Sequence, residues 1–431
     1  MLAWVNLTLS QRRSIDSVDS ASWDALDHAP SPFLEWGFLA ALERSGSVGG
    51  TSGWEPHYLL VHGELPRAAQ AGARGERTLL GAVAAYVKTH SYGEYIFDFH
   101  WARAAMQAGL PYYPKLVIAA PATPATGRRI LLHPQLDAAG RAAVTAELIA
   151  GVRELAEETG SSSTHWLFTS EAERGELVAA GYAARASYQF HWRNRGYAEF
   201  DDFLAGLTSR KRKQIRKERS RAQAAVDAIE FVPGTELDAS QIAALDRFYR
   251  RTTNLYGGRQ YLRPGFFAAL VELAPERVQF LEVRRGGEAI AGALFLETEQ
   301  ALYGRYWGCD EDVEFLHFEA AYYAGIERAI ARGLPLFEAG AQGEHKLLRG
   351  FMPVICHSAH AMRHPGFDRG VREFLREERR AVEQQVEHLG CYGPFKAEGE
   401  AGGVGMRVGA GEAGSEAEIA AEGEPEGSPG T

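Results

Sequence analysis

The chain has 431 residues, of which 45% are hydrophobic and 24% charged, values that are ordinary for a globular protein with two or three domains. It contains no run of about 18 apolar residues, which predicts that no transmembrane segment is present. Three widely separated cysteines argue against a disulfide framework. The N-terminus lacks the basic start and long apolar core of a secretory signal, so we expect a cytoplasmic protein.

The formal net charge of −10 is concentrated at the C-terminal end. Residues 397–431 hold eight glutamates against one arginine, a net of −7, so the remaining chain carries only −3. The same stretch is rich in Gly, Ala and Glu and has almost no large apolar residue. It cannot bury enough surface to offset its ordering entropy, which predicts a disordered acidic tail over residues 396–431.

Alternating strand and helix patterns predict a first α/β domain over residues 1–195. Its predicted elements are a helical region at 14–46, strands at 55–62 and 79–88, short strands at 116–120 and 129–132, a helix at 138–158, a strand at 165–169, a helix at 171–180 and a strand at 187–193.

A second domain is predicted over residues 196–395, beginning with a basic helix. Its predicted elements are helices at 200–226 and 240–255, strands at 278–284, 289–297 and 301–307, a helix at 316–332, strands at 334–339 and 354–362, and an outer helix at 368–388. From periodicity alone this order indicates a mixed α/β fold.

Several motifs occur in a fixed order along both predicted domains. They are HSYGEYIFDFHWA (90–102), YYPKL (112–116), PATPATGRRIL (121–131), GRYWG (304–308), LHFEAAYYAGIERAI (316–330), FEAGAQGEHK (337–346) and RGFMP (349–353). In this combination the chain resembles the FemAB-like predicted N-acyltransferases, a family labelled as related to peptidoglycan biosynthesis, from about Ser31 to His360.

The resemblance implies two tandem GNAT-like domains and transfer of an acyl or aminoacyl group to an amine on a small molecule or peptide. It implies acyl-CoA or aminoacyl-tRNA as co-substrate and no tightly bound cofactor. The rival hypothesis is a noncatalytic GNAT-like protein that binds RNA or another polyanion.

The turn and helix after the strand at 334–339 form the first candidate site. By the resemblance, Lys346 would stabilise the negative charge of a phosphate or of a developing oxyanion. The alternative is an ordinary solvated lysine. The side chains expected to contact substrate around it are Arg305, Trp307, His317, Gln342, Glu344 and Arg349.

Two residues are candidates for the general base. Glu319 is the only carboxylate on a helix stripe with Phe315, Tyr322 and Tyr323, and an apolar setting there would raise its pKa. It would otherwise cap its own helix or pair with a buried arginine such as Arg305. His345 would be the alternative base, or would simply hydrogen-bond to backbone.

The first domain supplies a second group of candidates, whose alternative is a polar loop joining the two domains. His90, Tyr92, Glu94 and Asp98 would line an acceptor pocket between the domains. The loop residues Thr126, Gly127 and Arg128 would grip a phosphate.

The segment Cys356–His364 looks at first like a metal site. Strand alternation would send His357 and His360 to opposite faces, so no metal is expected.

The stretch Ser209–Arg221 holds eight lysines and arginines against one acid. We expect Arg210, Lys211 and Lys213 to contact phosphates of the donor, of tRNA or of an anionic membrane surface, since the stretch has no interleaved aromatics for base stacking. The alternative is a solvated helix face.

Overall fold

The strands of this protein form one large mixed sheet. A computed structural model describes residues 7–65, 77–255, 260–341 and 343–396. The strands are β1 (Thr8–Arg12), β2 (Trp54–Gly63), β3 (Thr78–Lys88), β4 (Lys115–Ile118), β5 (Leu131–Leu132), β6 (Ser163–Thr169), β7 (Ala183–Arg193), β8 (Ala228–Pro233), β9 (Val278–Arg285), β10 (Glu288–Glu297), β11 (Ala301–Cys309), β12 (Leu336–Glu338) and β13 (Met352–Met362).

The strand order is similar when read from either edge of the sheet. It runs β1-β2-β3-β4-β6-β13-β7-β12-β11-β10-β9-β8, with the short β5 paired to β3. From each edge, four antiparallel strands are followed by one parallel pair, β4–β6 or β11–β12. The last strand of each half then lies in the sheet of the other half, because β13 pairs with β6 and β7 pairs with β12.

Helices cover both faces of this sheet. The α-helices are α1 (Ser20–Asp24), α2 (Trp36–Arg44), α3 (Phe99–Gln107), α4 (Ala138–Glu158), α5 (Glu171–Ala179), α6 (Phe200–Ala205), α7 (Ser209–Ala224), α8 (Ala239–Leu255), α9 (Phe266–Leu273), α10 (Leu316–Phe318), α11 (Ala324–Ala331) and α12 (Pro365–Cys391). Between α10 and α11 a π-helical turn spans Glu319–Tyr323. Short 3-10 helices span Ile15–Ser17, Gly234–Glu236, Pro275–Arg277 and Glu344–Arg349.

Three large apolar cores lie between these helices and the sheet. One packs α4 against β2 and β3, a second packs α2, α8 and α9 against the opposite face, and a third packs α6, the π-helical turn and α11 against β10–β12. Helix α12 lies along β7 and β13, where it covers the two exchanged strands.

Buried polar pairs interrupt one face of the sheet. Lys88 is paired in register with Lys115, His165 with His360, and Glu338 with His191. Strand alternation and register put all three pairs on the same face. Burying polar and charged groups costs free energy. These three pairs are therefore the part of the core in which a functional site is expected.

The predicted α/β fold with two tandem GNAT-like halves is confirmed, and most predicted elements are present. The helix predicted at 200–226 is wrong in one respect, because it is broken into α6 and α7. The break follows from Leu207, which forms a bridge to Phe395 in place of a helical turn. The structure also adds elements that were not predicted, among them β1, β8, α3 and α9.

The predicted domain boundary falls after residue 195, between β7 and α6. The described residues up to Phe395 form one compact unit. Because the two halves share a sheet, the boundary at 195 stays a prediction. The acidic tail predicted to be disordered lies outside the described residues, apart from Lys396.

Gly308 on β11 allows α8 to cross the strand closely. A Cβ at this position would lie 2.2 Å from the carbonyl oxygen of Phe248. We therefore expect Gly308→Ala to lower the free energy of unfolding in urea by about 2–3 kcal/mol. Gly370 in α12 has no atom within 4 Å of such a Cβ, so Gly370→Ala should instead raise it by about 0.5–1 kcal/mol. Equal stabilities for both variants would contradict this packing.

Candidate active site

The sheet opens between β11 and β12. Their parallel pairing ends at Tyr303 and Glu338, whereas β11 continues to Cys309. A bulge in β11 opposite Ala293 and Phe295 accompanies this separation. Bulges re-aim side chains and end strand pairing, and they are common beside active sites. The two strands therefore separate at the centre of the sheet, beyond Tyr303 and Glu338.

Glu338 and Arg305 face each other at this opening. Glu338 is 2% exposed, and its Oε2 lies 3.6 Å from Nη2 of Arg305. Neither of these two atoms has a hydrogen-bond partner among the described protein atoms. His191 Nε2 lies 3.7 Å from the other oxygen of Glu338. A buried acid and a buried cation thus keep hydrogen-bonding capacity that the protein itself does not use.

Two groups at this opening titrate near neutral pH. Burial raises the pKa of Glu338 to about 7, although the charge of Arg305 acts in the opposite direction. Burial also lowers the pKa of Lys346 to about 7, and Arg305 lowers it further. Lys346 is 2% exposed and donates a hydrogen bond of 2.8 Å to the carbonyl of Gly340. Lys346 is therefore a buried amine, and the alternative of a solvated surface lysine is wrong.

Aromatic and imidazole side chains form the neighbouring wall. His317 stacks on Trp307 at 5.5 Å, and His345 Nε2 lies 2.8 Å from the hydroxyl of Tyr322. Burial lowers the pKa of His317 and of His345 to about 4. Both rings are therefore neutral at pH 7 and can accept a hydrogen bond. The π-helical turn, a rare form often found at functional sites, carries Tyr322 into this wall.

Glu319 points away from this opening. Its carboxylate accepts bonds of 3.0–3.2 Å from Arg219 and of 3.0 Å from Gln223, both on α7. The alternative reading, that Glu319 pairs with an arginine, is therefore confirmed, but the partner is Arg219 and not Arg305, which lies beside Glu338. Both oxygens of the Glu319 carboxylate are thus engaged by side chains of α7. The role of Glu319 as a base stays a prediction that its contacts disfavour.

The other residues predicted around Lys346 are distributed unevenly. Arg349 is buried, donates to Glu218 at 3.1 Å and lies 3.3 Å over the ring of Phe318. Glu344 is exposed on the 3-10 helix. Gln342 lies outside the described residues. Arg349 therefore anchors the wall, and its substrate contact, like that of Glu344, stays a prediction.

The candidates from the first half form a second buried cluster. Lys115 donates to Glu94 at 2.8 Å and to Asp98 at 2.5 Å, and the hydroxyl of Tyr112 donates to Asp98 at 2.6 Å. His90 and Tyr92 are half-buried in the loop before them. Glu94 and Asp98 thus face the interior and hold this loop, and their contact with an acceptor stays a prediction.

The loop predicted to grip a phosphate packs against the sheet. Arg128 pairs with Asp27 at 3.0 Å, and Gly127 donates its N–H to the carbonyl of Phe168. Thr126 contacts the buried Cys356. Since the cation is already neutralised, this packing disfavours the predicted phosphate contact.

Helix α7 carries its unpaired cations at its N-terminal end. Arg216, Arg219 and Arg221 each pair with a carboxylate. Lys211 donates to Gln214, and no carboxylate of the described chain pairs with Arg210, Lys211 or Lys213. The positive charge available for phosphates is therefore concentrated in the first two turns, with the exposed Lys217 just beyond them.

Sequence reasoning missed Glu338 and His191. The signal for Glu338 was present, because it is a lone acid in the short apolar strand LFE, and such acids are rarely fully buried without a partner or a role. The register that brings His191 to it comes from the exchanged strand β7, which the sequence pattern does not reveal.

The sequence and fold have recognisable relatives. A family model named FemAB-like and described as peptidoglycan biosynthesis/recognition matches residues 14–397. The chain belongs to the FemAB-like family. The predicted resemblance is confirmed, and membership supports an acyltransferase-type role in peptidoglycan biosynthesis.

Solved structures are similar to this FemAB-like protein at low sequence identity. FemX has a TM-score of 0.50 and 10% identity, covering 84% of this chain and 100% of its own. A conserved protein of unknown function from Bacteroides thetaiotaomicron has a TM-score of 0.46 and 11% identity, covering 82% and 99%. A tandem GNAT protein from the clavulanic acid pathway has a TM-score of 0.41 and 11% identity, covering 84% and 99%. No curated protein is significantly similar in sequence.

Within the described ranges, no helix has the length and apolar character needed to cross a membrane.

The raised pKa of Glu338 predicts a distinct dependence of stability on pH. Between its ordinary value and about 7, the folded state binds a proton that the unfolded state has released, so stability falls as pH rises through this window. We expect Glu338→Gln to lose less stability between pH 5 and pH 7 than the wild type, as measured by urea unfolding. Glu230→Gln, at an exposed site on β8, serves as the matched control. Parallel pH profiles for wild type and Glu338→Gln would contradict the burial of a protonated acid.

Proposed function

We propose that this FemAB-like protein is an N-acyltransferase that moves an acyl or aminoacyl group onto an amine of a peptidoglycan peptide or precursor. The observation that supports this most is the buried Glu338–Arg305 pair, with unused hydrogen-bonding atoms, where β11 and β12 separate. An acid and a cation 3.6 Å apart match the two charges of acyl transfer to an amine, the ammonium proton and the carbonyl oxyanion.

Glu338 acts as the general base in this proposal. With its pKa near 7, its carboxylate can take one proton from the ammonium of the acceptor. The free amine then attacks the carbonyl carbon, and a C–N bond forms as the C–S bond of a thioester or the C–O bond of an ester breaks. The nitrogen loses a second proton, and the leaving thiolate or alkoxide takes one up.

Arg305 and Lys346 stabilise the developing oxyanion. The free Nη2 of Arg305 points toward Glu338, and the amine of Lys346 is held at the adjacent turn by Gly340. The neutral rings of His317 and His345 accept hydrogen bonds from the acceptor or relay its second proton. No covalent enzyme intermediate is required.

The donor is acyl-CoA or aminoacyl-tRNA, and both occur in the cytoplasm, where we propose that the reaction takes place. Both donors carry phosphates, and α7 begins with Arg210, Lys211 and Lys213 without carboxylate partners in the described chain. Burial lowers the pKa of Lys211, and the nearby charges of Arg210 and Arg349 lower it further. This proximity supports a path for the donor from the cations of α7 to the aromatic wall.

Substitutions at the opening test the proposed roles of Glu338 and Lys346 one at a time. We expect Glu338→Gln and Lys346→Ala each to lower kcat by about 10²–10⁴-fold, since each removes a group used only in the chemical step. The measurement is single-turnover transfer to a peptidoglycan-peptide amine, with folding checked by circular dichroism. The matched control is Glu230→Gln, an exposed acid on β8 outside the opening, which should change kcat by less than about threefold.

Full activity in Glu338→Gln would exclude this residue as the base and return the assignment to His345. Absence of transfer with every donor, together with tight RNA binding, would favour the noncatalytic polyanion-binding protein instead.

The increase in melting temperature on adding a donor identifies the donor class. A ligand that binds only the folded state raises the melting temperature, so we expect a shift with acyl-CoA or with aminoacyl-tRNA. The combined variant Arg210→Gln/Lys213→Gln should weaken donor binding and reduce the slope of log K against log salt by about two. An unchanged salt slope would show that these cations do not contact donor phosphates.

A further inference from the structure

Helix α3 and the two residues before it expose an unusual amount of apolar surface. Eight large apolar side chains of the described chain are exposed, and four of them lie here or on the facing part of α12. Phe97 is 60% exposed, Phe99 42%, Met106 71% and Phe374 39%. Contiguous exposed apolar patches on a folded protein generally mark an interaction surface.

These side chains form one continuous patch. The rings of Phe97 and Phe99 are 6.3 Å apart, and Tyr92 lies 5.9 Å from Phe99. His100 contacts Phe374 at 5.1 Å, which joins α3 to α12. Met106 follows Phe99 by seven residues and therefore lies on the same stripe of α3, two turns later.

Helix α3 is apolar on two sides, and only one side is covered. Trp101 and Ala105 face inward and pack against Val371 and Leu375 of α12. A surface helix needs only one such stripe to attach to its protein. The outward stripe of Phe99 and Met106 adds nothing to this core, so its apolar character needs a second partner.

The patch is held rigidly from beneath. The chain alternates between buried Ile96 and Asp98 and exposed Phe97 and Phe99. Asp98 is fixed by Lys115 and Tyr112, as described above, while Arg185 donates to the carbonyl of Phe97 at 3.2 Å. The two phenyl rings are therefore presented on fixed backbone.

The charges around the patch favour a lipid surface over a protein partner. Arg103 is exposed on α3 between Phe99 and Met106 and has no carboxylate partner in the described chain. The acids beneath the patch are already engaged, Asp98 by Lys115 and Glu378 by Arg185. On the α12 side the patch is bordered by Glu377, one turn after Phe374, so the α3 side is the part suited to anionic headgroups.

We propose that this edge, formed by Phe97, Phe99, Arg103 and Met106, docks on the surface of a lipid bilayer. The apolar side chains enter the boundary between headgroups and acyl chains, and Arg103 lies at the level of the phosphates. This docking is separate from the acyl-transfer site, and it would present the protein to acceptors or partners held at a membrane.

Vesicle sedimentation of the full-length protein tests the proposal. The probes are vesicles of phosphatidylglycerol and phosphatidylethanolamine, and vesicles of phosphatidylcholine alone. We expect the wild type to bind, and Phe97→Ser/Phe99→Ser to lower the partition coefficient at least about tenfold. Arg103→Gln should weaken binding to the anionic vesicles only. Tyr392→Ser, at a 60% exposed aromatic residue near the end of α12, is the matched control and should bind as the wild type does.

Two outcomes would overturn the proposal. One is equal vesicle binding by wild type and Phe97→Ser/Phe99→Ser. The other is no vesicle binding by the wild type, with a dimer in light scattering that the double variant loses, which would assign the patch to self-association. Transfer to a soluble acceptor should be unchanged in the double variant, so failure of this proposal and failure of the acyl-transfer assignment are distinguishable.

Discussion

The pairing of β7 with β13 is the constraint on which the rest of the structure depends. Nine residue pairs, from Met352–His191 to His360–Ala183, join the last strand of each half at the centre of the sheet. Each of these strands is also paired to a strand of the opposite half. This exchange brings residues of both halves together at the candidate site, because His191, which lies beside Glu338, belongs to the first half of the chain.

The polar pairs on the inner face of the sheet are satisfied to different degrees. Lys115 is surrounded by two carboxylates, which offset the several kcal/mol that burial of each ion costs. The Glu338–Arg305 pair is held less completely, at 3.6 Å with two atoms unpartnered. A folded protein retains such a deficit where a ligand can supply the missing contacts, and this deficit is at the point where the sheet opens. Glu94 Oε1 and Asp98 Oδ1 in the Lys115 cluster are also unpartnered, so the deficit alone does not separate the two clusters. What separates them is position, because the Glu338–Arg305 pair lies where β11 and β12 part.

The sequence predicted the elements that depend on a local pattern. It did not predict contacts between residues that are far apart along the chain. The periodicity of α4 and of β9–β11 predicted those elements within one or two residues, and the motif around Lys346 lies beside the opening seen in the structure. The partner of Glu319 could not be named from the sequence, because Arg219 lies 100 residues away on another helix. Glu338 was missed because a single acid in a three-residue strand carries no periodic signal, and its burial depends on the exchanged strand.

Residues that point outward in short irregular segments were equally hard to read. The sequence IFDF resembles an ordinary apolar stretch, and only the structure shows that its members alternate between a buried ion cluster and solvent. The same holds for the π-helical turn, because the stripe expected for a regular helix grouped Glu319 with Tyr322, whereas the two side chains face different surroundings.

The similar strand order from both edges points to an internal duplication. Superimposing the two halves by register makes β6 equivalent to β12 and β13 equivalent to β7, so that His165 corresponds to Glu338 and His360 to His191. In the first half, the pair consists of the imidazole rings of His165 and His360, whose Nδ1 atoms lie 2.7 Å apart. In the other it is an imidazole and a carboxyl left 3.7 Å apart. The equivalent position is thus a closed core contact in one half and, in the other, the buried acid that we propose as the base.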